Sequence, residues 1–117
     1  MVSDNALRRG WHVVEVGMRQ AWPFLTFADP VTGRETRVYV DAAMRISPDT
    51  EPMHQDDERL LAALERVNMM TLDSAEVVDG HLLLTLEESV VWICGDDNEL
   101  STNAPWRISP QVSSYPC

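Results

Sequence analysis

The sequence contains no lysine, so all nine of its basic residues are arginine. It has two cysteines, Cys94 in an apolar stretch and Cys117 as the last residue. That is too few for a disulfide framework, and two thiols are expected rather than a bridge. The longest apolar runs, such as Leu82-Leu83-Leu84, fall far short of the roughly 20 residues of a membrane-crossing helix. No apolar signal region lies behind Arg8-Arg9, so a cytoplasmic protein is expected. The five glycines are scattered, and there is neither a Gly-rich phosphate loop nor a Gly-x-Ser-x-Gly elbow. The three histidines, His12, His54 and His81, have no His-x₃-His spacing, and no Cys-x₂-Cys pair joins them. No catalytic residue, metal or cofactor is therefore expected.

What is present is enough for one domain. The chain has 117 residues, 44% of them hydrophobic, which suffices to bury a core. Its net charge is −10, and the charge is uneven. Residues 1–47 carry six arginines against five acids, whereas residues 48–117 carry three against fourteen. A field of that sign repels nucleic acid phosphate and anionic membranes and favours a basic protein partner.

The pattern along the chain predicts an α+β fold, an antiparallel sheet of about six or seven strands in two meanders with one principal helix between them. Residues 11–18, 22–27 and 34–40 read as a first meander. Pro23 belongs at a strand start or on an edge because it cannot donate to a ladder, and Asp29-Pro30-Val31-Thr32-Gly33 supplies turn chemistry. Leu60, Leu61, Leu64 and Val67 recur at helical spacing. Asp56 or Asp57 is the expected N-cap, and Asn68 the expected left-handed end. Residues 71–78, Asp79-Gly80 and residues 82–86 read as a hairpin. Val90-Val91-Trp92-Ile93-Cys94 is apolar on both faces and is expected to be an interior strand, with Trp92 in the core. Trp106 and Ile108 add a short last strand, with residues 1–9 and 109–117 expected to be frayed.

The meanders look alike. Glu15-Val16 before Phe24-Leu25-Thr26-Phe27 parallels Glu76-Val77 before Leu83-Leu84-Thr85-Leu86, with a hairpin that differs by two residues. An internal duplication and convergent strand patterning both account for this. The stretch Val78-Asp79-Gly80-His81-Leu82-Leu83-Leu84-Thr85-Leu86, followed by an apolar strand, an acidic loop and a late Trp, resembles a family of small actinobacterial domains of unknown function. The resemblance covers residues 11–108 and implies a fold but no activity. The spacer between Asp96-Asp97 and Trp106 is longer here than in the family pattern.

Asp96, Asp97 and Glu99 share one loop after the apolar strand, and Trp106 closes it. These four residues are the candidate partner-binding site, an acidic lip for Arg or Lys of another protein. Trp11, Trp22 and Trp106 lie near strand ends and read either as core edge or as interface. The expected function is a non-enzymatic acidic binding protein that docks a basic protein partner, of the immunity or antitoxin kind. The alternative is a small-ligand-binding or enzymatic half-barrel with a pocket between helix and sheet.

Overall fold

The computed structural model describes residues 7–20, 22–95 and 105–111. Among them the order is β1 (His12–Arg19), β2 (Trp22–Ala28), β3 (Glu35–Val40), β4 (Met44–Ile46), α1 (Leu60–Val67), β5 (Leu72–Val78), β6 (His81–Leu86), β7 (Val90–Ile93) and β8 (Trp106–Gln111). The strands form two four-stranded antiparallel sheets, β1-β2-β3-β8 and β4-β7-β6-β5. Antiparallel strands with one helix match the sequence expectation. The expected six or seven strands are corrected to eight, in two sheets. The strand that the pattern hides is β4, whose three residues are too few to show alternation. At the chain's two ends, Leu7 is buried in the core and β8 continues to Gln111.

Local chemistry explains the connections. Asp29 accepts the Val31 N–H (2.8 Å) and the Thr32 hydroxyl (3.0 Å), and Gly33 takes φ +76° to return the chain into β3. The Val31 N–H holds the Asp29 carboxyl below its ordinary pKa. Asp79 and Gly80, with φ +52° and +82°, make the two-residue turn between β5 and β6. Pro23 is the second residue of an interior strand, so it marks a strand start and not an edge. The helix departs from expectation at both ends. It begins at Leu60 with no side-chain cap, because Asp57 accepts the N–H of Arg59 in the preceding turn. At the far end Asn68 is extended, and Met69 takes the left-handed φ of +74°.

The two meanders follow the same path at an offset of 59 residues, the separation of His12 and Thr71, which face each other across an antiparallel bridge. A register shift lies between Val13 and Glu15 in the first and between Leu72 and Ser74 in the second. Both hairpins close with two residues, after Arg19 and after Val78. The sequence parallel between Leu25-Thr26-Phe27 and Leu84-Thr85-Leu86 therefore stands. The hairpins have equal length, however, and Glu15 matches Ser74, not Glu76.

The contacts where the halves meet are reciprocal. Gly10 N–H donates to Leu72 O (2.9 Å) and Met69 N–H to Val13 O (2.8 Å). Val13 N–H donates to Met70 O (2.9 Å) and Leu72 N–H to Trp11 O (2.7 Å). Such pairs relate the halves by a local twofold axis. The fourth strands are then exchanged: β4 leaves the first meander to pair with β7, and β8 leaves the second to pair with β3. The crossings match as well, with Asp41 N–H on Pro105 O (2.8 Å) and Cys94 N–H on Ala43 O (3.0 Å).

Both sheets and the helix feed one hydrophobic core. Its members include Leu25, Phe27, Val38 and Val40 from the first sheet, Leu82, Leu84, Val91 and Ile93 from the second, and Leu60, Ala63, Leu64 and Val67 from α1. Strands that switch sheets at corners suit such packing.

Candidate functional site

Residues that alternate with the core positions form an outer face on each sheet. On the first sheet this face is covered by one arginine. Arg37 lies across the Phe24 ring with its guanidinium carbon 4.2 Å from the centroid. Its Nε donates to Thr26 Oγ1 (2.9 Å), one terminal nitrogen to Tyr39 OH (3.3 Å) and the other to Glu15 Oε1 (2.8 Å). Gly17 leaves room for the Phe24 ring beneath, since a Cβ there would meet it at 3.1 Å. Phe24 and Thr26 are buried by this cover although they stand outside the core cluster. Arg107 also lies over Tyr39, at 5.1 Å.

The second sheet repeats the positions with other residues. Thirteen residues separate paired Leu25 and Val38, and seven separate paired Leu84 and Val91, because the second turn is shorter. Matched in this way, Leu83 takes the place of Phe24, Thr85 of Thr26, Trp92 of Tyr39, Ser74 of Glu15 and Val90 of Arg37. Arg45 matches Arg107 and lies 5.2 Å from the Trp92 ring. His81 stacks on Trp92 at 4.6 Å with 31° between the planes. The Gly95 N–H donates to His81 Nδ1 (2.8 Å), which assigns the ring hydrogen to Nε2 in the neutral form. Leu83, His81, Val90 and Trp92 are all half-buried.

Acidic residues border this face along β5 and at the turns. Asp73, Glu76, Asp79 and Glu88 are exposed on β5 and at the turns beside β6, and none enters an ion pair among the described residues. Glu87 is also exposed and accepts the Thr71 N–H (2.6 Å). By contrast, Glu15, Asp49 and Asp57 each hold an arginine.

The chain matches no family model, no curated protein and no solved structure.

Of the residues singled out in the sequence, Asp96, Asp97 and Glu99 lie outside the described residues. Gly95 and Pro105, on either side of their segment, are placed: Gly95 on His81, and Pro105 on Asp41. Trp106 opens β8 opposite Val40, half-buried and packed against the core. Trp11 is buried in the core. Trp92 is the correction. It was expected in the core, and it lies on the outer face instead, because Val91 and Ile93 are the residues of β7 that point inward. No three His, Cys, Asp or Glu side chains converge as metal ligands among the described residues. Nor, among them, is any helix long and apolar enough to cross a membrane.

Sequence reasoning thus missed His81, Leu83, Val90 and Trp92. The signal was available in the double apolarity of residues 90–94. A strand that is apolar on both sides is either buried on both or carries a docking face on one.

Proposed function

We propose that this chain is a non-enzymatic binding protein that docks a basic protein partner, with the outer face of β5-β6-β7 as its docking surface. The observation that carries this reading is the half-exposed Leu83, His81 and Trp92 beside Asp73 and Glu76 of β5 and Asp79 and Glu88 of the adjoining turns, acids without an ion pair among the described residues. Aromatic anchors within a charged rim are the usual composition of a protein interface. In the sequence, Asp96 follows Gly95 directly. Neutralisation of a basic toxin is one setting for such a surface.

The test uses a cationic peptide of mixed Arg and Lys content and records association rates at about 20 mM and about 200 mM salt. Neutralising Asp96, Asp97 and Glu99 to Asn and Gln should leave folding intact, slow association and flatten its salt dependence, because rim charges act mainly by steering. Trp92→Ala should raise the dissociation rate. Absence of binding, or rates that neither substitution nor salt moves, would reject the reading.

A further inference from the structure

The repeat provides its own template for what the second face binds. On the first sheet, the groups around Phe24 hold a guanidinium: Thr26 accepts its Nε, Glu15 and Tyr39 accept its terminal nitrogens, and Phe24 carries its plane. On the second sheet the corresponding hydroxyl is kept in Thr85, the aromatic is enlarged to Trp92, and the apolar floor is Leu83. Thr85 makes no side-chain hydrogen bond among the described residues. The carboxylate has moved along β5. Ser74 stands at the Glu15 position, and Glu76, two residues on and opposite Leu83, stands where the first sheet has Gly17. The arginine itself is replaced by Val90, which carries no cation.

We infer that the outer face of the second sheet is a receptor for an arginine side chain of the basic partner, which takes over Leu83 the position that Arg37 takes over Phe24. This rests on the docking function proposed above and names the group that the partner must present. The acid on the rim attracts any cation, but the floor selects among them. A guanidinium is flat and weakly hydrated, so it lies on Leu83 against the Trp92 ring while its edge donates to Thr85 and Glu76. An ammonium is compact and strongly hydrated and gains little from that floor. Arg45 and His81 already lie against Trp92, so the incoming group enters from the Val90 and Thr85 side.

Blocked hexa-arginine and hexa-lysine peptides, titrated into the whole chain, separate the two ideas. The arginine peptide should bind about tenfold tighter than the lysine peptide, with the Trp92 indole and Thr85 amide signals shifting in nuclear magnetic resonance spectra. Val90→Arg places a guanidinium there from the chain itself and should bring the arginine peptide down to the lysine level. Thr85→Val keeps the shape and removes the acceptor, so it should narrow the preference even if the first variant does not fold. Equal, salt-sensitive binding of both peptides would overturn the arginine receptor and leave basic docking standing. Failure of both peptides to bind would overturn the two readings together. A preference that survives both substitutions lies elsewhere on the molecule and would also reject the receptor.

Discussion

Tyr39 and Trp92 occupy matching positions in the two sheets, and each has an arginine from the exchanged strand across its ring, Arg107 at 5.1 Å and Arg45 at 5.2 Å. The strand that completes each sheet therefore also supplies a cation to its outer aromatic. The sheets differ in the second neighbour of that ring. Arg37 lies near Tyr39 at 5.7 Å, and Val90 precedes Trp92 by two residues on its strand.

Replacing Arg37 by Lys should destabilise the protein by about 1–3 kcal/mol, since a single ammonium cannot reach Thr26, Tyr39 and Glu15 together. Urea denaturation of the two proteins measures the difference. A change within experimental error would mean that the charge matters here and the planar fork does not.

Leu64→Ala should cost about 2–5 kcal/mol, because Leu64 is fully buried between the helix and the sheets. Leu61, on the same helix and 43% exposed, is the control, and Leu61→Ala should stay within about 0.5 kcal/mol. Similar losses at both positions would contradict the placement of the helix.

Gly95→Ala should destabilise by about 1–3 kcal/mol, as its Cβ would overlap the Gly80 carbonyl. The backbone shift that relieves the overlap also pulls Gly95 N–H from His81 Nδ1. The histidine ring signals of wild type and variant should then differ most at His81. Unchanged stability with unchanged His81 signals would show that the hairpin turn yields without effect.

Asp57 gives an acid limb to stability. Hydrogen bonds from the Arg59 side chain hold the Asp57 carboxyl below the ordinary carboxylate range, at about 2. A lowered acid stabilises the fold above its unfolded pKa, and that contribution is lost as the pH falls through the folded value. Asp57→Asn should therefore flatten the dependence of stability on pH between about 4 and 2. Parallel curves for wild type and variant would remove Asp57 from the acid response.

Much of the fold was legible because alternation and helical spacing are local signals. Thr36, Val38 and Val40 fall on one side of β3, and Leu60, Leu64 and Val67 share one stripe of α1, as their spacing implies. The exchange of β4 and β8 was not legible. Pairing between Ile46 and Val91 is a choice among distant partners, and three residues carry no record of it. The site was missed for a related reason. Trp92 is as apolar as Val91 and Ile93, and hydrophobicity cannot say which side of a sheet faces water. Only the repeat breaks that tie, by setting Trp92 level with Tyr39. The Glu15-Val16 match with Glu76-Val77 was a coincidence of type, which the register shift at Val13 and Leu72 corrects.

The exchanged strands leave no point where the chain can be cut into two self-sufficient sheets. A fragment ending in residues 47–59 would keep β4 without β7, and its complement would keep β8 without β3. Each half is thus the other's missing edge, and a change inside either is felt by both. The halves accordingly differ most where no interior is shared. Inside, the halves are alike: Val38 with Val91, Leu25 with Leu84, Ile46 with Ile108. Outside, one half closes its surface with Arg37, and the other leaves Leu83, Val90 and Trp92 half-exposed, a difference that two identical halves could not show.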